Sequence, residues 1–486
     1  MDHKESSTGS LGDRTVRGAL WMTTQTIALK FISIASQLVL ARLLLEEHFG
    51  VYGIALTVTS LFQSVQHFGL REIICRRQQK FHEIWKCCFW LSAVGGLATA
   101  LLLIISSPLI CAAYQVPSLK PLLYWSAASL LLSNLEIVPL LRLELRLEFG
   151  WIARLVFATN LIQTLGTIWL AWSGFGALSL VLPPTITALV RVPVLWVVAG
   201  LANPFPATLV GAVAILHDSK WILLTSAACA VTNVGDYGIL GALKGTTLLG
   251  VYLFAFRLSA QSSSLIAASV GRVALPALSS LGDDPDRQLV AGLKVMQTLA
   301  VPMMFVCGLQ AVLAKPLVQA LFPERWLPAV VPVQLLSLGW AIRGSLSLDW
   351  ILFQAQGRFR MCCLLTIGWA AMFCFLIFVG AQLGGAAGTA VAVLIYSCVQ
   401  PVTNLMLLYR LCSKPPLCVV KALTAPFCCS LVTLLLAYIW CSISSLSPWQ
   451  LLLLVPVVTT PLYLLLIRRF VPGAWQSLSR VMPKFG

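Results

Sequence analysis

Lys30 sits in the middle of a long apolar run. Around it Thr23, Thr26, Lys30, Ser33 and Gln37 step by 3, 4, 3 and 4 residues, so on a helix they form one polar stripe. A helix facing lipid all round would not carry that stripe; a helix lining a watery cavity would. Arg257, Gln261 and Ser264 repeat the pattern at i, i+4 and i+7. Arg343 and Asp349 share another apolar run, six residues apart, so they do not face each other and each needs a partner elsewhere. Thr225, Thr232, Asn233 and Asp236 fall roughly on one face. Asp236 lies near the end of its run, where a cavity role and simple solvation are both open. Glu136 is a candidate partner for Arg191, which could also snorkel to the surface. Ser60, Gln63, Ser64 and His67 share a face, with His67 read as a boundary residue rather than a proton carrier.

A charge at a bilayer centre costs about 2.5 kcal/mol or far more, so each of these residues needs a reason. For Lys30 the alternatives are a cavity-lining cation and a structural partner to a buried acid. Lys30, Arg191, Arg257 and Arg343 stand against Glu136, Asp236 and Asp349, the acids available for ion coupling or pairing. Basic walls suit an anionic substrate, because desolvated phosphate needs charge-assisted donors. Cation extrusion would rely on buried carboxylates. The sequence holds no P-loop, no HExxH, no GxSxG and no paired carboxylates at a cleft, so the expectation is transport rather than catalysis, with no metal and no direct use of ATP. The acidic stretch Leu281 to Asp286 lacks the ligand spacing of a Ca²⁺ loop.

The elements that must position these residues are membrane spans. Of 486 residues, 59% are hydrophobic and only 10% charged, against about 25% charged in soluble proteins. About fourteen spans are expected, at 17–42, 49–70, 85–107, 121–141, 149–172, 176–198, 217–242, 248–272, 289–313, 327–353, 360–380, 384–410, 418–440 and 447–468, each near the length a bilayer requires. No cleaved signal peptide is expected. The net charge of +16 does not indicate nucleic acid, because the basic residues gather in short loops. With both termini cytoplasmic, only Arg42, Lys120, Lys244, Lys315 and Arg325 fall outside, as the positive-inside rule requires. The fifteen cysteines fall mostly inside spans, as small hydrophobes.

A repeat divides the chain. Trp21, Leu40, Leu43, Gly50, Val51 and Tyr52 match Trp221, Leu240, Leu243, Gly250, Val251 and Tyr252, every pair offset by 200. Six spans separate the copies, so both enter the membrane in the same direction. The expected organisation is a cytoplasmic tail (1–16), a six-helix N-lobe (17–198), a cytoplasmic linker (199–216), a six-helix C-lobe (217–410), two peripheral helices (411–468) and a cytoplasmic tail (469–486). The fold expected is an all-α polytopic membrane protein, its two lobes related by a parallel pseudo-two-fold around a central cavity.

Leu40-Ala41-Arg42-Leu43-Leu44 followed by Glu47-His48-Phe49-Gly50 resembles the first external connection of the bacterial polysaccharide transporters. These are the Wzx-like flippases of O-antigen and exopolysaccharide units, in the multidrug/oligosaccharidyl-lipid/polysaccharide exporter superfamily. Phe68-Gly69-Leu70, Gly250-Val251-Tyr252, Val273 to Ser279 (VALPALS) and Ala355-Gln356-Gly357-Arg358 resemble further motifs of that family, in order along nearly the whole chain. Glu46 stands where the family usually has proline, and the linker is less basic than the family's.

The resemblance implies a multi-pass protein of the bacterial cytoplasmic membrane. It would pass an undecaprenyl-pyrophosphate-linked oligosaccharide through a cationic central cavity by alternating access, for lipopolysaccharide or exopolysaccharide synthesis. Lys30, Arg257 and Arg343 would then contact pyrophosphate or acidic sugars, with Gln37 and Gln261 beside them in the cavity. It implies membrane lipids and polymerase or export machinery as partners, no cofactor, and an ion gradient whose ion the sequence does not identify. Competing readings are a multidrug and toxin antiporter, a peptidoglycan lipid II flippase, and a membrane-embedded glycosyltransferase, the last disfavoured by external connections too short to carry catalytic residues.

Overall fold

A chain with so many apolar runs must satisfy its backbone hydrogen bonds within each run, and helices are how a single segment does so in lipid. The computed structural model describes residues 11–66, 74, 81–146, 148–201, 203–205, 212–279, 285–347, 352–353, 359–412, 417–473 and 475, and every regular element among them is helical. The helices are α1 (Leu11–Leu43), α2 (Glu46–Gln66), α3 (Phe81–Tyr114), α4 (Leu119–Leu145), α5 (Phe149–Trp172), α6 (Leu182–Ala199), α7 (Ala212–Ser279), α8 (Pro285–Val312), α9 (Ala314–Leu321), α10 (Val330–Ser345), α11 (Phe359–Leu411), α12 (Leu417–Ile443) and α13 (Pro448–Phe470). Ten described segments are long and apolar enough to cross a membrane, which makes this a multi-pass membrane protein.

Two of those ten are hairpins. In α7, Gly245 has φ 81°, a backbone that glycine adopts without a Cβ penalty. Tyr252 bonds back to Asp236, and a Cβ on Gly241 would meet Leu249. These contacts centre on residue 245, so the two halves run antiparallel. In α11 the break is at Gly384–Gly385, with Gly385 at φ 54°, and Trp369 on one half bonds Asn404 on the other. The first break falls in the connection expected between 242 and 248, whereas the second falls at the first two residues of the expected span 384–410, just past the connection expected between 380 and 384.

The expected span 176–198 is not one α-helix. A 3-10 turn, Gly176–Leu180, precedes α6. Pro183 and Pro184 occupy the first turn of α6, where their missing N–H groups would be unpaired anyway. After α6, Lys86 Nζ donates to Phe205 O at 3.1 Å and Trp90 Nε1 to Pro204 O at 3.1 Å. Helix α7 begins at Ala212, inside the stretch 199–216 expected as linker.

The described chain forms two compact units, one of residues 1–44 and 58–227, the other of 45–57 and 228–486. In the first, α3 packs on α4 and α4 on α6 around Phe89, Cys88, Val138 and Leu141. In the second, α8 packs on α10 and α12. Helix α13 joins through Tyr463, whose ring stacks on Phe305 at 4.4 Å and whose hydroxyl donates to Val301 O at 2.8 Å. Leu453, Val457 and Leu465 on α13 and Leu431, Leu435 and Ile439 on α12 stay exposed, as a lipid-facing surface requires.

Candidate functional site

The second unit gathers three of the intramembrane charges. The start of α2 crosses the second half of α7, and Tyr52 follows that crossing by two residues. Arg257, further along α7, lies over the Tyr52 ring at 4.8 Å. Asp236, on the first half of α7, is 2% exposed, so solvation does not explain it. Its Oδ2 accepts from the Tyr252 hydroxyl at 2.7 Å and its Oδ1 from the Tyr237 amide at 3.0 Å. Tyr237 in turn sits edge-on to Phe256, and Phe256 edge-on to Trp340. The carboxylate is thus held by hydroxyl and amide donors inside an aromatic cage, and the guanidinium is held by a π face.

Arg343, in the last turn of α10, lines a cavity of about 270 Å³. The other lining residues come from both halves of α11, from the first half of α7, and from Ser347 and Phe353 beyond the end of α10. Trp369 and Tyr396 supply aromatic surface, and Thr232, Thr366, Gln400 and Asn404 supply polar atoms. Trp369 Nε1 donates to Asn404 Oδ1 at 2.8 Å, fixing the indole and the amide against each other. Thr232 donates to Cys229 O at 2.9 Å and Thr366 to Cys362 O at 2.7 Å.

In the first unit Glu136 pairs with Arg191 at 2.5 Å, the carboxylate side chain 8% exposed and the guanidinium 34%. Nearby on α4, Ser133 accepts from Gln66 at 3.5 Å, Gln66 accepts from Thr99 at 3.0 Å, and Ser92 donates to Asn134 O at 2.8 Å. Lys30 is half-buried on α1, and among the described residues no carboxylate pairs with it. Gln37 is buried, and its side-chain nitrogen has no hydrogen-bond partner among the described residues.

Of the sequence candidates, Arg257, Gln261, Asp236 and Arg343 therefore lie in one unit, and Lys30, Gln37 and Glu136 in the other. Asp349 and His67 lie outside the described residues. The sequence reading did not single out Trp369, Tyr396, Gln400 or Asn404. A signal was present: Tyr396, Gln400 and Asn404 repeat every four residues, a polar-edged stripe like the one around Lys30.

Residues 39–331 match the family model described as polysaccharide biosynthesis protein. The succinoglycan biosynthesis transport protein ExoT of Rhizobium meliloti is 26% identical over 69% of this chain, and the match spans 65% of that relative's own length. The lipopolysaccharide biosynthesis protein WzxC of Escherichia coli is 23% identical over 88% of both chains. A solved structure of the lipid II flippase MurJ in an inward closed conformation superposes with a TM-score of 0.77, at 15% identity, over 93% of this chain and 100% of that one; at that identity the likeness is one of fold. The helices, their order and the extent of the family match place this multi-pass membrane chain in the polysaccharide biosynthesis protein family.

Proposed function

We propose that this protein flips undecaprenyl-pyrophosphate-linked oligosaccharide units across the bacterial cytoplasmic membrane by alternating access, with both termini cytoplasmic. One observation carries the reading. The described intramembrane acids are engaged, Glu136 by Arg191 and Asp236 by Tyr252, whereas Lys30, Arg257 and Arg343 form no ion pair among the described residues. Cations left without carboxylates in a low-dielectric setting favour an anionic cargo. The names of the relatives ExoT and WzxC, which place them in succinoglycan and lipopolysaccharide biosynthesis, support polysaccharide precursors as that cargo.

The test is the leaflet distribution of lipid-linked glycans in cells lacking the protein. The repeat unit should accumulate facing the cytoplasm and surface polymer should disappear. Lys30→Ala should reproduce that loss at normal protein abundance. An unchanged glycan pool together with accumulation of cationic dyes would replace this reading with a drug extruder.

A further inference from the structure

The chain that leaves α6 is fastened as soon as it emerges. We infer that Lys86, Trp90 and Arg142 are positioning residues for transport: they hold Gly200, Leu201 and residues 203–205 as a strap on α3 and α4, and transport needs that strap held. The inference rests on the flippase reading. Helix α6 stops at Gly200, whose φ is 58° and whose N–H donates to Val197 O, a left-handed stop that glycine makes without strain. Arg142 Nη1 donates to Gly200 O at 2.8 Å, a charge-assisted bond at a helix end whose carbonyls favour a cation. Leu201 follows and packs against two clusters, one around Val138 and Leu141, the other around Leu143 and Leu195.

The second grip comes from α3. Lys86 and Trp90 are four residues apart, so they project from one face, and they take consecutive carbonyls. Trp90 Nε1 donates to Pro204 O and Lys86 Nζ to Phe205 O, each at 3.1 Å. The indole also meets the Phe205 ring in a T-shaped contact at 5.1 Å. The Phe205 N–H donates to Asn203 Oδ1 at 3.0 Å, an Asx turn around a proline of fixed φ, which holds the two carbonyls in one local geometry. Basic and aromatic residues near a membrane surface ordinarily turn their polar tips to water or headgroups. Here three such residues, on two helices, direct donors to the backbone of one short segment. A tether that only joined two units would leave its carbonyls to water. This one is tied at Gly200 and again at Pro204 and Phe205, and it lies wholly within the first unit. Rearrangements during transport are then taken up beyond Phe205.

The experiment pairs hydrogen exchange on the full chain in lipid nanodiscs, read at the Gly200 and Phe205 amides, with surface polymer at matched protein abundance in cells. Wild type should protect both amides by about tenfold or more relative to an unstructured segment. Trp90→Phe keeps a ring and removes the donor; Lys86→Met keeps the apolar stem and removes the ammonium. Each should speed exchange at Phe205 by about two- to tenfold, as expected for one lost hydrogen bond, and Arg142→Met should do the same at Gly200. The Lys86→Met/Trp90→Phe double variant should lose most of its surface polymer, whereas Lys86→Arg, which restores a donor, should keep exchange and polymer near wild type. Thermal unfolding separates a loosened strap from a lost fold, and Trp90→Phe alone carries the test if the double variant misfolds. The inference is overturned if the wild-type amides exchange like a free loop, if the loosened variants exchange like wild type or make normal polymer, or if Lys86→Arg fails as Lys86→Met does. Cells lacking the protein separate the two claims. Normal polymer there removes the flippase reading, whereas polymer lost there but normal with a loosened strap removes only this inference.

Discussion

Gly50 and Gly250 each press on the backbone four residues before the other. A Cβ on Gly50 would overlap the carbonyl of Thr246, and a Cβ on Gly250 would overlap the carbonyl of Glu46. Both glycines and both carbonyls are related by the 200-residue offset of the sequence repeat. A contact that maps onto itself when its two sides are exchanged is what a local two-fold produces. Here it lets two helices meet backbone to backbone, as small residues do in membranes. Tyr52 and Arg257 follow directly from this crossing, so it sets the position of one of the candidate cations.

Gly50→Ala and Gly250→Ala should each destabilise the protein by about 1–3 kcal/mol, the range for overpacking, because the obstacle is a carbonyl and not a movable side chain. The double variant should cost less than the sum, since the first methyl already separates the helices that the second would push apart. Gly368, in α11, has open space where a Cβ would go, so Gly368→Ala should be neutral or stabilising by about 0.5 kcal/mol. Thermal unfolding in detergent reads all four; a Gly50→Ala midpoint equal to wild type would remove the close contact as a determinant of stability.

Much of the fold was readable because lipid imposes one rule on every span. Apolar runs near twenty residues had to be helices, and the break at Gly245 falls in the connection between two such runs, while the break at Gly384–Gly385 falls at the first two residues of the next. The pairing of Glu136 with Arg191 was open in the sequence, because the need for a partner is local and the identity of that partner is tertiary. The cavity walls were less legible. In a span, Trp369 facing a cavity has the same type and spacing as a tryptophan facing lipid, and only the opposing half of the hairpin, with Asn404, distinguishes them. Asp236 misleads for the same reason. Its position near the end of a run suggests water, yet Tyr252 folds back over it across the Gly245 turn.

The Glu136–Arg191 pair should respond asymmetrically to mutation. Arg191→Gln leaves a carboxylate that is 8% exposed without its cation, whereas Glu136→Gln leaves a guanidinium that is 34% exposed and able to reach polar surroundings. Breaking a buried pair costs about 3–5 kcal/mol when the remaining charge stays buried, so Arg191→Gln should approach that loss and Glu136→Gln should fall well short of it. The double variant should recover part of the arginine loss. Equal unfolding midpoints for the two single variants would show that both partners are solvated.

Tyr52 should tolerate loss of its hydroxyl but not of its ring. The Arg257 guanidinium lies over the ring face, an interaction worth about 0.5–2 kcal/mol. Tyr52→Phe keeps that face and should transport like wild type, while Tyr52→Leu frees the guanidinium and should lower transport together with Arg257→Gln. The measurement is surface polymer at matched protein abundance in cells carrying each variant. If Tyr52→Leu transports normally, the ring does not position the cation that transport uses.

Asp236 separates a structural charge from a working one. Tyr252→Phe removes the donor at 2.7 Å and leaves a carboxylate oxygen buried without it, which should cost about 1–3 kcal/mol. Asp236→Asn is gentler on the fold. Its amide oxygen can keep the Tyr237 amide bond, and its amide nitrogen can donate to the Tyr252 oxygen, which accepts as readily as it donates. The asparagine variant should therefore unfold close to the wild-type midpoint while Asp236→Ala does not, because alanine leaves the buried Tyr252 hydroxyl without its acceptor. With the fold preserved, the surface polymer made by Asp236→Asn reports on charge alone. A loss there, beside normal stability, assigns the carboxylate's charge to transport. Full activity would make Asp236 the clasp of the α7 hairpin and nothing more.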